Sequence, residues 1–196
     1  GMGRAGLGED GGGRADGGLV RPLGERSDSH GPRFDQDIPP GGYRWWYVDA
    51  ESDCGLYGLT IIAFIGSVFS PYYKAAGRDA PENHVSLNVA LYGKGCRRWA
   101  MTERGTGALF RETTTLRIGP SQLRWDGATL VIDIEEESAV LPMKVRGQVR
   151  VTPMVYGQRR FRLDPGGKHV WEPLAPCSRV EANFTNPDIK WSGTGY

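Results

Sequence analysis

The chain has 196 residues, with 24 Lys and Arg against 23 Asp and Glu, a net charge of +1. So even a balance gives no chain-wide electrostatic footprint for nucleic acid or for an anionic membrane surface. The three cysteines, Cys54, Cys96 and Cys177, are widely spaced with no CxxC. That argues against a disulfide framework and a zinc site, and for a reducing compartment.

Residues 1–42 hold 13 of the 29 glycines and no Trp. Residues 1–40 cannot bury enough apolar surface to offset their ordering entropy, so a disordered tail is expected there. Pro39-Pro40-Gly41-Gly42 marks the boundary, and 41–196 is the folded domain. Cys54–Tyr73 is 20 residues without a charge, but its glycines, serines and Pro71 favour a buried strand followed by an aromatic loop over a membrane helix. His30, His84 and His169 are too far apart to read as metal ligands.

From Tyr43 onward the pattern is of strands. Short β-branched or aromatic runs occur at 44–49, 57–66, 84–92, 98–103, 113–118, 122–125, 128–137, 143–152, 160–163, 169–172, 179–183 and 189–191. Gly, Pro or Asp-Gly breaks many of them apart, and the only helical hint is a turn at 71–76. Many short strands at this spacing predict an all-β sandwich or barrel. Within 84–92, Val85, Leu87, Val89 and Leu91 share one face, and His84, Ser86, Asn88, Ala90 and Tyr92 the other.

One hairpin is predicted in register, with a loop at 138–141. Pairing Glu137 with Lys144 sets Glu135 opposite Arg146, Asp133 opposite Gln148 and Val131 opposite Arg150. The other face then pairs Ile134 with Gly147, Ile132 with Val149 and Leu130 with Val151. A one-residue slip would spoil both faces. Glu135–Glu137 reads as the exposed face of this ladder.

Several residues have both a structural and a chemical reading. Trp45 and Tyr47 fall on one side of their strand and Trp46 on the other, so part of this cluster is core. His84 and Asn88 belong either to a hydrogen-bonded strand face or to a pocket wall. Glu103, beside Arg104, is a solvated partner or a pocket carboxylate. Asp49 closes the aromatic run as a turn or ladder partner or, with Glu103, as an acid inside this sequence.

The blocks Gly42-Tyr43-Arg44-Trp45-Trp46-Tyr47-Val48-Asp49-Ala50, Gly58 to Tyr73, Asn83-His84 with Leu87 to Gly93, and Arg98 to Arg104 occur in a definite order. In that order and spacing the chain resembles the carotenoid 1,2-hydratases (hydroxyneurosporene synthases) over about residues 40–196. The resemblance implies an all-β, lipocalin-like antiparallel barrel around an apolar pocket. It also implies a cytoplasmic bacterial hydro-lyase, peripherally associated with membrane lipid, that uses no cofactor or metal. Such an enzyme adds water across the terminal C1=C2 bond of acyclic carotenoids of the neurosporene or lycopene type. The family's His-x-Trp pair falls on His169 and Trp171, and its tyrosine on Tyr196. Its aspartate, the expected proton donor, would lie two positions past Tyr196, so the chain is expected to lack the family's C-terminal part. Substrate-facing positions are then Trp45, Trp46, Tyr47, His84, Asn88 and Glu103. Phe69–Tyr73 is expected to be an exposed aromatic loop against the bilayer. A non-catalytic isoprenoid carrier, or a related cyclase or isomerase, would use the same architecture.

Overall fold

A computed structural model describes residues 21–25, 31–67, 70–138 and 142–196. The strands are β1 (Arg21–Glu25), β2 (Arg44–Ser52), β3 (Tyr57–Ile65), β4 (Val85–Gly93), β5 (Arg98–Met101), β6 (Leu109–Arg111) and β7 (Thr115–Ile118). They continue as β8 (Ser121–Trp125), β9 (Leu130–Glu137), β10 (Lys144–Val155), β11 (Arg159–Arg162), β12 (Val170–Trp171), β13 (Cys177–Asn186) and β14 (Asp188–Gly195). One short helix, α1 (Pro71–Ala75), follows β3.

Among the described residues, eleven strands form one antiparallel sheet in the order β5-β4-β3-β2-β14-β13-β10-β9-β8-β7-β6. β1, β11 and β12 form a separate three-stranded sheet. The large sheet curls into a half-barrel, bringing β5 back towards β9 and β10. Its concave side is filled. Leu59, Ile61, Ala63 and Ile65 of β3 meet Val85, Leu87, Val89 and Leu91 of β4, each at most 1% exposed. Phe184, Val149, Ile132 and Leu123 complete the same cluster from the far strands. Packed side chains therefore occupy the place where the resemblance implied an apolar pocket.

The β9–β10 register is the expected one at every position, from Glu137↔Lys144 to Leu130↔Val151. Arg146 donates to Glu135 at 2.8 Å and Gln148 to Asp133 at 2.8 Å. Cross-strand pairs of this kind contribute roughly 0.2–1 kcal/mol each. Residues 139–141 of the connecting loop lie outside the described residues.

Glu136 corrects the reading of 135–137 as one exposed face. Alternation turns it inward beside Ile134, and its side chain is fully buried. Arg104 donates to it at 2.9 Å and Ser121 at 2.9 Å. Because Arg104 also pairs with Val85 through its backbone, this ion pair ties the β4 end of the sheet to β9.

The folded part also begins earlier than residue 41. Phe34 is completely buried, its ring 5.1 Å from that of Trp46. Its N–H donates to the Thr113 carbonyl, and Arg111 donates to the Phe34 and Gln36 carbonyls at 3.1 and 2.7 Å. One large aromatic side chain is enough to anchor a segment whose composition is otherwise that of a tail. Farther upstream, β1 pairs with β11; the other residues of the expected tail, 1–20 and 26–30, lie outside the described residues.

The expected aromatic loop is instead a capped helical turn. Ser70 caps α1 by accepting from the Tyr73 N–H, and Pro71 opens the helix, as its fixed φ and missing N–H permit. Tyr73 is fully buried, and its hydroxyl donates to the Gly42 carbonyl at 2.6 Å. Tyr72 is exposed; Phe69 lies outside the described residues.

Candidate functional site

The outer face of the sheet divides into two halves of different chemistry. Over β9, β10 and β13 it is a charged ladder: Asp133, Glu135, Lys144, Arg146, Arg150, Arg179 and Glu181. Over β2 to β5 the registers give other rows. Trp45, Phe64 and Ser86 lie side by side, then Tyr47, Ile62, Asn88 and Met101, then Asp49, Thr60, Ala90 and Trp99. Directly paired residues share a face, so these side chains form one surface. A solvated sheet face is normally polar. Here Asp49 is the one charged side chain in three rows of aromatic, aliphatic and small polar groups.

Asp49 sits in a cluster of hydroxyls. Thr60, its partner on β3, donates to Oδ1 at 2.8 Å. Tyr196, at the end of β14, pairs with Asp49 through both backbone hydrogen bonds, and its phenol oxygen is 3.5 Å from Oδ2. The rings of Tyr47 and Tyr196 are 5.9 Å apart. Desolvation, then the charge of Asp49 and the neighbouring Tyr196, pushes the Tyr47 phenol up to about 12. Tyr47 is therefore a neutral hydroxyl across the physiological range.

A surface recess of about 620 Å³ opens at this cluster, walled by Leu56, Tyr57, Tyr92 and Cys177 as well as Asp49 and Tyr196. Gly58 makes the room. It lies between Glu51 and Tyr92 in its row, and a Cβ there would sit 3.3 Å from the Ala50 carbonyl and 3.7 Å from the Tyr92 ring.

A second cluster lies at the other end of the same face. His84 Nδ1 is 2.6 Å from Glu103 Oε1, and Ser70 donates to Oε2 at 2.6 Å. The Tyr73 ring packs 5.1 Å from His84. Tyr43, just before β2, has its hydroxyl 2.5 Å from His169 Nδ1 and its ring 5.1 Å from Trp45. Burial, and then the charge of Asp164, raises the Tyr43 phenol above its usual range. Asp164 also accepts the His169 backbone N–H at 2.6 Å, which fixes the loop that carries the imidazole.

Trp45, Tyr47, Asn88 and Tyr196 thus share the outer face of the sheet. His84 and Glu103 border it, and His169 reaches its edge through Tyr43. Trp46 does not join them; it is a core residue, 9% exposed. Trp171 packs on Phe161 in the small sheet, ring centroids 5.6 Å apart, and is 49% exposed. His169 and Tyr196 are not in one cluster. They attach to β2 at Tyr43 and Asp49, six residues apart, which is roughly 20 Å of extended strand at about 3.3 Å per residue. Sequence reading passed over Tyr43 and Thr60 and favoured a turn or ladder partner over an acid for Asp49. The alternation Tyr43, Trp45, Tyr47, Asp49 was the available signal for two of these. No group of three or more His, Cys, Asp or Glu suited to a metal occurs among the described residues. The cysteines are free, and no helix among the described residues is long and apolar enough to cross a membrane.

Residues 61–196 match the family model of carotenoid hydratase CrtC. The chain is 55% identical over 184 residues to an acyclic carotenoid 1,2-hydratase of Thiocapsa roseopersicina, covering 92% of this chain and 45% of that protein. It is 53% identical over 170 residues to the protein of the same name in Rubrivivax gelatinosus, covering 84% of this chain and 42% of that one. A hydroxyneurosporene dehydrogenase of Chlorobaculum tepidum is 32% identical over 104 residues, 48% of this chain and 26% of that protein. The chain spans about half the length of the curated relatives it matches most fully. No solved structure matches it. With two thirds of its length under the family model, the chain belongs to the carotenoid hydratase CrtC family.

Proposed function

We propose that this chain is part of a hydratase that adds water to the terminal C1=C2 bond of acyclic carotenoids. The outer face of β2 to β5 and β14 is its substrate platform. The observation that carries this reading is the carboxylate of Asp49, held by Thr60 and Tyr196 beside Tyr47 where the aromatic rows of the face meet the recess. The two relatives named as acyclic carotenoid 1,2-hydratases supply the substrate class. A linear polyene suits the exposed aromatic side chains of this face, Tyr47, Tyr92 and Trp99, and the branched alkene terminus suits the recess at Asp49.

The reaction needs no electron transfer. A proton added at C2 leaves a tertiary cation at C1; water oxygen bonds to C1, and one water proton departs to a base. Tyr47 and Tyr196 offer π faces to that cation, an attraction worth about 2 kcal/mol when desolvated. Their hydroxyls and that of Thr60 leave Asp49 as the acceptor, the form that stabilises the cation and takes the proton from the attacking water. A β14 continued in the same register would set the second residue past Tyr196 opposite Tyr47. That is where the resemblance expects the proton-donating aspartate. His169, which the resemblance makes catalytic, then acts at the far edge of the platform through Tyr43, with Trp45, His84, Asn88 and Glu103 bordering the polyene's path; Trp171, on the small sheet against Phe161, lies off it.

A carrier enclosing its ligand would need an empty barrel, and Phe34, Trp46, Leu87 and Phe184 fill the concave side. The test uses a protein as long as the relatives, incubated with lycopene or neurosporene in detergent. Product gaining the mass of one water supports the reading; tight binding without any such product would replace it with the carrier.

A further inference from the structure

The hairpin joining β4 to β5 runs Tyr92-Gly93-Lys94-Gly95-Cys96-Arg97-Arg98-Trp99, with three cations and no anion. The chain-wide charge balance conceals it. Lys94 and Arg97 are exposed, and the flanking Tyr92 and Trp99 are 50% and 46% exposed. The turn is firmly built: Cys96 is buried, and its thiol donates to the Tyr92 carbonyl at 3.2 Å. Trp99 gives its indole N–H to Asn88 at 2.8 Å. Its polar atom is thus satisfied inside the protein while much of the ring faces out.

The β2–β3 turn stands against this hairpin. Gly93 pairs with Tyr57, and a Cβ on Gly93 would fall 2.6 Å from the Leu56 carbonyl. Leu56 itself is 67% exposed. Of the nearby acids, Asp53 is held by Arg179 at 2.5 Å, which leaves Glu51 and, inside the recess, Asp49 against three cations. Leu56 and Tyr92 also wall the recess that contains Asp49 and Tyr196.

We propose that this end of the sheet docks on an anionic lipid bilayer, with Leu56, Tyr92 and Trp99 in the interface and Lys94 and Arg97 on the headgroups. Aromatic rings favour that depth, and juxtaposed cations are drawn to the negative surface. Neither signal is strong alone; stable anchoring takes two. The shared walls open the recess towards the acyl region, so a water-insoluble polyene enters without crossing solvent. That purpose rests on the isoprenoid reading, whereas the docking is measured without any polyene.

The experiment is flotation of the purified chain with phosphatidylcholine vesicles, with and without phosphatidylglycerol. The chain is expected to float with the anionic vesicles several-fold more than with the neutral ones, and to be released by high salt. Lys94→Glu/Arg97→Glu and, separately, Leu56→Ser/Trp99→Ser should each lower flotation about tenfold with unchanged circular dichroism. Tyr72→Ser, an exposed aromatic at the opposite end of β3, should leave it unaltered. Absence of flotation, parental flotation by both double variants, or its loss in Tyr72→Ser overturns the proposal. In detergent, where no bilayer is needed, Lys94→Glu/Arg97→Glu made in a protein as long as the relatives should keep parental hydration. Absent hydration with intact flotation would sink the reading of the site and leave the docking standing.

Discussion

Asp49 and Tyr196 face each other across β2 and β14, joined by backbone hydrogen bonds of 2.9 and 3.0 Å, with the phenol oxygen 3.5 Å from the carboxylate. The pair couples the first strand of the aromatic surface to the strand nearest the end of the chain. A shift in how β14 pairs would therefore also disturb the hydroxyls around Asp49.

Tyr47 gives this neighbourhood a pH signature. Its phenol is raised to about 12 from 10, first by desolvation and then by the charge of Asp49. Between those values the unfolded chain loses the proton and the folded one keeps it. Stability from this group is thus fully present below pH 10 and is lost as pH rises to about 12. Difference absorbance of wild type against Tyr47→Phe should show one phenol that fails to ionise at pH 10–11. Normal titration of that phenol would mean that Tyr47 is not packed beside the carboxylate.

Phe34 tests where the folded domain starts. Removing a fully buried aromatic side chain costs about 3–5 kcal/mol, so Phe34→Ala should lower the urea midpoint by a corresponding amount. An unchanged midpoint would return residues 31–40 to the tail.

Glu136 and Arg104 test the closure of the half-barrel. Glu136→Ala leaves a partly buried guanidinium without its partner, a loss of about 3–5 kcal/mol. Glu136→Gln keeps the shape and the hydrogen-bonding atoms and should cost less. If both variants unfold at the parental denaturant concentration, the ion pair does not hold β9 against the β4 end.

Gly58 tests the recess. Gly58→Val places methyl groups beside the Tyr92 ring and the Ala50 carbonyl, where the alkene terminus is proposed to sit. In a protein as long as the relatives, KM for the carotenoid should rise at least several-fold with little change in thermal midpoint. Parental KM in a folded variant would place the substrate elsewhere.

What the sequence disclosed follows from where periodicity carries information. The β9–β10 register was legible because Glu135, Asp133, Arg146 and Gln148 fit on one face only if Ile132 meets Val149 on the other. The same alternation turns Glu136 inward beside Ile134, yet a run of three glutamates reads as solvent-exposed until a partly buried Arg104 is known. Phe34 and Tyr73 were missed because each is a single apolar anchor in a polar or loop-like setting, without a repeat to give it a face. Trp45, Tyr47 and Asn88 on one surface, with Trp46 behind it, was readable from strand parity. Tyr43 beside His169, 126 residues apart, was not, because no local pattern reports how a separate three-stranded sheet sits against β2.

The central claim, that the alkene is hydrated at Asp49 on the aromatic outer face, is tested most directly by one rate comparison. Wild type and Asp49→Asn, each as long as the relatives, are given an acyclic carotenoid in detergent, and the product one water heavier is followed by mass spectrometry. The account predicts a fall of about 10²–10⁴-fold, with circular dichroism and carotenoid binding retained. Parental turnover by Asp49→Asn would contradict it.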